Sequence, residues 1–303
     1  MDKMLKVEDL IIQIDDRKII DHLSFSVKKG EILGIAGESG SGKSSLARAI
    51  MGLLPHKEGR VLYGSNDLHK QIDLIGRELT LVPQNSMNSF NPSMKMGEQL
   101  IDGLLLHSIM EKAEGKKTAL DYMERLGLSS DIYDRYPHEL SGGMKQRMAF
   151  IMGILPKPGI LILDEVTTGL DKVSKKKLID LIVASAKERA VILISHEIDL
   201  IRDITSRVIV LKNGLPVEWG ASEQVLTNPQ HPYVKALVGS LIESLPEDIT
   251  PIEKIRSFNS RQRCPFVEYC TEAMRVCTLK DVYRKEDAAS GVSCWKFFPG
   301  RTI

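Results

Sequence analysis

The sequence predicts an α/β fold, and three observations predict it. Gly37-Glu38-Ser39-Gly40-Ser41-Gly42-Lys43-Ser44 reads G-x-x-x-x-G-K-S, the pattern of a phosphate-cradling loop. It sits between a short apolar run, 32–35, and a helix-like pattern, 45–50, which is the strand–loop–helix context the motif needs. A second apolar run, 160–163, ends in Asp164-Glu165, as a buried parallel strand does when function gathers at its C-terminal end. Between these two segments, residues 92–153 switch to helical periodicity.

Taken in order, residues 1–80 read as strands around the loop, including 5–14, 24–28 and 61–64. Leu100, Leu104, Leu105 and Ile109 form one helical stripe, and Leu120, Met123, Leu126 and Leu128 another, both read as core packing. In Leu140-Ser141-Gly142-Gly143-Met144-Lys145-Gln146-Arg147, Ser141 and two glycines open a helix over 144–154, so free backbone N–H groups gather at an anion-binding helix start. Residues 160–220 return to β/α alternation: a strand, a helix over 172–189, a strand, a helix over 198–206, then a hairpin. Asn213-Gly214 is the hairpin turn signal between 208–211 and 216–219. The basic cluster 172–177 is interspersed with apolar positions and reads as a solvated helix face. No internal repeat is found. After about Gly239 the composition changes; 245–251 reads as a linker, and the Arg-rich remainder holds every cysteine of the chain.

The loop's residue types dictate its chemistry. Glycines let backbone N–H groups converge on phosphate oxygens, and the following helix directs its partial positive charge at them. Lys43 is placed to reach the β and γ phosphates, and the Ser44 hydroxyl to bind Mg²⁺, with Ser45 next on the helix. Asp164 is placed to hold the Mg²⁺ shell and Glu165 to polarise an attacking water.

These motifs, in this order, resemble the ATPase subunits of ABC transporters, and more closely those of the peptide/nickel importer group. Ser141-Gly142-Gly143 matches the signature, which in that family closes on the γ phosphate of ATP bound to the opposite subunit. Gly169-Leu170-Asp171 resembles the D-loop. Gln84 matches the Q-loop glutamine that senses Mg²⁺, and His196 the switch histidine on the γ phosphate. The narrower resemblance rests on Pro83 to Pro92, on Gly97-Glu98-Gln99, on Met144 in the signature, and on Asn228-Pro229-Gln230-His231-Pro232-Tyr233. Val166 and Gly169 depart from the family's usual proline and alanine, and the region around Ile14 to Lys18 lacks the aromatic expected to stack on adenine.

The resemblance implies an ABC-type P-loop ATPase fold over 1–240: a RecA-like core, an antiparallel β subdomain, and a helical subdomain at about 92–153. A small C-terminal extension over 241–303 follows. It implies ATP and Mg²⁺, a second ATPase subunit as a heterodimer partner, two transmembrane permease subunits, and an extracellular substrate-binding protein. It places the chain peripherally at the cytoplasmic face of the membrane. Cargo handled by relatives includes dipeptides, oligopeptides, nickel or cobalt, and metal chelates. The alternative reading is a soluble ABC ATPase of DNA repair or translation; one cassette with a compact insertion disfavours it.

Composition agrees. At 303 residues with a formal net charge of +1, the chain suits one large domain plus an appendage, or two domains, and not an electrostatic nucleic-acid binder. No signal peptide is evident, and no apolar run is long enough to span a bilayer; Pro156 and Pro158 split the longest apolar region.

Cys264, Cys270, Cys277 and Cys294 are spaced C-x5-C-x6-C-x16-C. In a cytosolic chain, four clustered cysteines point to a soft metal before disulfides. The spacing is unlike a zinc finger's paired cysteines. It resembles the tail of peptide-importer ATPases, which implies a 4Fe-4S cluster, with Zn²⁺ as the alternative and unliganded thiols as a third reading. A metal would help fold so small a segment.

Overall fold

The computed structural model describes residues 4–239, 264–286 and 290–298. The expected linker at 245–251 lies outside them. Strands β1 (Met4–Ile14) and β2 (Arg17–Lys28) pair antiparallel, and β3 (Ile32–Ala36) leaves them for a second sheet. After the glycine loop come α1 (Lys43–Ile50), then β4 (Glu58–Tyr63) and β5 (Asn66–Asp67), which return to the first sheet. That sheet runs β2-β1-β4-β5. Strand β6 (Leu79–Val82) crosses to the second sheet, and α2 (Met96–Leu106), α3 (Lys112–Arg125) and α4 (Gly142–Ile154) form a helical subdomain. The chain then alternates through β7 (Ile160–Asp164), α5 (Lys172–Ala186), β8 (Ala190–Ile194), α6 (Ile198–Ile204) and β9 (Arg207–Lys212). Next come β10 (Leu215–Ala221), α7 (Ser222–Thr227) and α8 (Pro232–Gly239). The described part of the extension adds α9 (Val276–Leu279), β11 (Arg284–Glu286) and β12 (Gly291–Ser293).

The second sheet runs β11-β12-β10-β9-β3-β8-β7-β6, and its central strands are parallel. Every residue of β3, β7 and β8 is buried, because helices and the first sheet cover both faces. Successive side chains on a strand point to opposite faces, so each strand feeds two cores. Leu161, Leu163, Val191 and Leu193 pack with the helical subdomain, α5 and α6. Ile160, Ile162, Ile192 and Ile194 pack with α1 and the antiparallel sheet. Full burial of such a side chain contributes roughly 1.5–3 kcal/mol. This two-sided covering aligns the C-terminal ends of β3, β7 and β8 along one edge.

The β9–β10 turn carries two consecutive positive φ angles, 48° at Asn213 and 82° at Gly214, as a two-residue hairpin turn requires. Its tip docks on the phosphate loop, where the Gly214 N–H donates to Ser41 O at 2.9 Å.

Several boundaries differ from the sequence expectation. Helix α5 stops at Ala186 and not at 189, because the chain must turn into buried β8; there the Arg189 carbonyl accepts from the Gly30 N–H at 3.0 Å. Helix α6 stops at Ile204, since the Ser206 N–H is taken by Ile32 O at 3.0 Å. Leu105 lies off the buried stripe of α2 and is 45% exposed, whereas Leu100, Ile101 and Leu104 are buried. Lys175 does not belong to a freely solvated face: it pairs with the Glu197 carboxylate. Strand β12 pairs with β10 (Glu218↔Val292, Trp219↔Gly291), lengthening the main sheet.

Candidate functional site

The loop between β3 and α1 lies over the C-terminal edge of the parallel strands. Gly42 has φ +103°, and a Cβ there would meet Ile19 O at 2.7 Å, so a side chain is excluded on conformation and on space. At Gly40 nothing lies within 4 Å of where a Cβ would sit, so the loop faces open space. Gly37 is buried, while Glu38, Ser39 and Gly40 are exposed. Ser41 is buried, and Ser44 and Ser45 are half-buried on α1. Lys43 folds back: its ammonium donates to Gly37 O at 2.7 Å and Glu38 O at 2.8 Å. Burial holds its pKa below the usual lysine value, opposed by Glu165, Asp164 and Glu38. A cation held by two carbonyls and, at 3.4 Å, by the Ser41 hydroxyl is ready to be drawn to phosphate.

Asp164 ends β7 and is 4% exposed. Burial raises its pKa, and a hydrogen bond from the Ser44 hydroxyl opposes the rise. Its Oδ1 is buried with no hydrogen-bond partner. An orphaned carboxylate oxygen beside a serine hydroxyl is the donor set a hard divalent cation takes.

Glu165 follows at φ +54°, a left-handed conformation that costs a non-glycine residue about 1 kcal/mol or more. The sheet enforces it through the Glu165 N–H bond to Ile194 O at 3.0 Å. Its buried carboxylate lies 2.7 Å from His196 Nδ1, whose ring is largely exposed. From α4, Gln146 Nε2 donates to Val166 O at 2.7 Å, so the helix that Ser141 opens grips the turn holding Glu165.

The fold thus gathers Lys43, Ser44, Asp164, Glu165 and His196. Among the described residues, none of Gln84, Ser141, Gly142 or Gly143 hydrogen-bonds to that group. Gln84 is exposed just past β6. Ser141 caps α4, accepting from the Met144 N–H at 3.3 Å, and it and Gly142 face solvent. Asp171 caps α5 through the Val173 and Ser174 N–H groups, both at 3.0 Å.

Two site residues escape sequence reasoning. One is Gln146, which stands in the quoted signature without a role. The other is Tyr233. Its buried hydroxyl accepts from the Glu38 N–H at 3.1 Å, linking α8 to the phosphate loop, while Lys212 bridges to the Glu38 carboxylate at 2.6 Å. Burial pushes the Tyr233 hydroxyl pKa up to about 12.

A second cluster lies nearby. Cys264, Cys270, Cys277 and Cys294 line one small cavity with His231 and Glu272. Burial pushes the Cys264 thiol up to about 12 and raises Cys270 and Cys294, and the thiols' mutual repulsion adds to it. The thiols surround the cavity and do not meet at a point: among the described residues, no group of three or more His, Cys, Asp or Glu is set to hold a metal ion. Phe266, two residues after Cys264, packs edge-on against the Tyr233 ring at 5.5 Å.

A glycine loop heading a helix, beside strand-end carboxylates on a parallel sheet, defines a P-loop nucleotide-binding protein. The family model for "ABC transporter" matches residues 20–168, and that for "Oligopeptide/dipeptide transporter, C-terminal region" matches 217–277. The dipeptide transport ATP-binding protein DppD of Bacillus subtilis is 32% identical, over 97% of this chain and 95% of that one. The metal-staphylopine import system ATP-binding protein CntD of Staphylococcus aureus is 34% identical, over 74% of this chain and 88% of its own length. The dimeric ATP-binding cassette MJ0796, bound to ADP and Pi, shares the fold at TM-score 0.65 and 23% identity, over 72% of this chain and 99% of that chain. The chain belongs to the ATP-binding subunits of ABC transporters, in the oligopeptide/dipeptide importer group, and is an ATPase coupled to transport.

Proposed function

We propose that this chain is the ATP-hydrolysing subunit of a multi-subunit importer whose cargo is a peptide or a metal–chelator complex. The observation that carries the hydrolytic role is the buried Glu165 carboxylate, held by His196 beside Lys43 and Asp164. Lys43 leaves the Gly37 and Glu38 carbonyls for the β and γ phosphates, while Gly37 to Ser45 line the phosphates with backbone N–H groups and hydroxyls. Ser44 and Asp164, with Gln84 expected to reach it, would hold Mg²⁺, which when bound would supply positive charge against the phosphate oxygens. Glu165 polarises the attacking water, and His196 fixes that carboxylate and contacts the γ phosphate.

Ser141 and Gly142 face solvent in the single chain, with Gly143 half-buried beside them, which supports their use on ATP held by a second ATPase subunit. The dimeric cassette supports such a pairing, and a related but different subunit is our reading of the partner. Two permease subunits and an extracellular binding protein complete the assembly, with this chain peripheral at the cytoplasmic face. Among the described residues no helix is long and apolar enough to cross a membrane, so the pathway belongs to other subunits. We divide the chain into an ATPase domain, 1–240, and an extension, 241–303.

The relatives' names support dipeptide and metal–staphylopine cargo, and nickel or cobalt stays within the metal arm. We read the four cysteines as the holder of a 4Fe-4S cluster. That reading is supported by the resemblance of their spacing to the peptide-importer tail, with Zn²⁺ as the alternative, since four thiolates serve either.

The test is uptake in cells carrying the chain or its Lys43→Ala form, offered labelled di- and oligopeptides beside nickel, cobalt and zinc, free and chelated. Peptide uptake lost with Lys43→Ala supports a nutrient importer, and loss of metal uptake alone supports a metal importer. If neither changes, the importer reading falls.

A further inference from the structure

The site's side chains fix which way a bound nucleotide points. With Glu165 and His196 acting at the γ phosphate, that phosphate lies at the ends of β7 and β8, on one side of β3. The phosphate chain follows the glycine loop, and the nucleoside leaves it on the other side of β3, where β9 lies in the sheet. The β9–β10 turn and the start of β2 stand there. The Asp21 N–H donates to Gly214 O at 3.1 Å, and a Cβ on Gly42 or Gly214 would meet Ile19 O at 2.7 or 2.2 Å. Strand β2 thus touches the loop at Ile19, and the end of the β1–β2 hairpin, 14–18, is the wall that the base meets.

Few side chains on that wall are free to meet it. Ile14 and Arg17 are direct cross-strand partners, and both are exposed. Ile14 shares a strand face with Ile12, which packs in the same core as α1, so it is turned to the loop side of the hairpin. At 43% exposed, it offers an aliphatic surface to a flat partner. The neighbouring polar groups are taken: Lys18 pairs with Asp21 at 2.7 Å, and Gln13 binds Asp15 O at 2.7 Å and Lys57 at 3.1 Å. No Phe, Tyr or Trp precedes Phe25 in the chain, and the Tyr233 ring is buried against Phe266 and Lys212. A guanidinium stacks on either purine. At the base edge it only donates, so it meets guanine O6 and N7 at least as well as adenine N7 and accepts nothing from the adenine amino group.

We infer that Ile14 and Arg17 form the base-contact surface, and that this chain takes ATP and GTP with little preference between them. The inference rests on the glycine loop as the nucleotide site. An aliphatic contact and a donor-only cation hold the base without reading the features that separate the two purines.

The experiment displaces a ribose-labelled fluorescent ATP from the full chain with ATP or GTP, each with Mg²⁺. It compares the parent with its Ile14→Tyr, Arg17→Ala and Lys43→Ala forms, with a melt of each to confirm folding. We expect the parent's affinities for ATP and GTP to agree within about threefold. Ile14→Tyr adds a ring to stack on and should tighten ATP about fivefold or more. Arg17→Ala should weaken GTP about threefold or more. A parent preference for ATP beyond about tenfold overturns the inference. So does parent-like binding by either hairpin variant, which would put the base elsewhere. If Lys43→Ala binds as tightly as the parent, the loop is not the site; that outcome removes the site reading as well, and the other two leave it standing.

Discussion

Tyr233→Phe removes one oxygen and little else. The Phe266 ring at 5.5 Å and the Lys212 ammonium at 4.9 Å from the ring centre keep their partner. What is lost is the 3.1 Å bond from the Glu38 N–H, which holds the first peptide of the phosphate loop. The carbonyl of that residue is held by Lys43, which must leave when phosphate binds, so the Tyr233 bond is one of the ties that stay, beside the Ser41 N–H on the Glu38 carbonyl at 3.2 Å and the Lys212 bridge to its carboxylate. A net hydrogen bond is worth about 0.5–1.5 kcal/mol, and exposed Glu38 lets water replace part of it, giving about 1 kcal/mol. If the bond preorganises the loop, that loss appears as about fivefold weaker nucleotide binding. Titration with a fluorescent ATP analogue, beside a melting curve, measures both consequences. With the hydroxyl's pKa pushed up to about 12, the effect should be flat from pH 6 to 9 by the ordinary titration rule. Unchanged affinity together with a lowered Tm would refute the reasoning and leave the hydroxyl a packing group.

Three further outcomes are expected. Glu165→Gln should lower ATP turnover by about 10²-fold or more with nucleotide binding retained, as single-turnover and binding assays would report; unaffected turnover would sink the assignment. Asp164→Asn should raise the Tm of the nucleotide-free protein at neutral pH while abolishing Mg²⁺-dependent hydrolysis. Burial lifts the Asp164 pKa above 3.8, so the folded state keeps a proton that the unfolded chain releases, and stability falls as pH rises through that window. The gain from Asn should therefore vanish in melts below about pH 4, where both states are protonated. Gly97→Ala should destabilise by about 1–3 kcal/mol, read by denaturant melts, because its Cβ would lie 2.2 Å from the Tyr133 ring and force the helical subdomain apart.

Much was legible in the sequence because it is encoded over a few consecutive residues. The glycine loop, the all-apolar strands ending in Asp164-Glu165, the Ser141 cap and the Asn213-Gly214 turn each follow from local backbone requirements, and each lies where those requirements put it. Such requirements set conformation within a turn of helix or a tight loop. They do not set how far a helix runs once a neighbouring chain claims its last N–H, as at Ser206, nor which lysine of a basic cluster meets a carboxylate, as Lys175 does.

The rest depends on contacts between residues far apart in the chain. Glu38 and Tyr233 are separated by 195 positions, and nothing near either one announces the bond between them. Gln146 reaches the Glu165 turn only because α4 packs beside the end of β7. The cysteines could be counted from the sequence, but their arrangement around one cavity with His231, and the pairing of β12 with β10, required the chain to fold back on its own sheet edge. Local stereochemistry determined the phosphate loop and the strands that carry it. Long-range packing, which satisfies each buried polar group with whichever partner the fold brings to it, decided which distant residues brace that loop and what surrounds the four thiols.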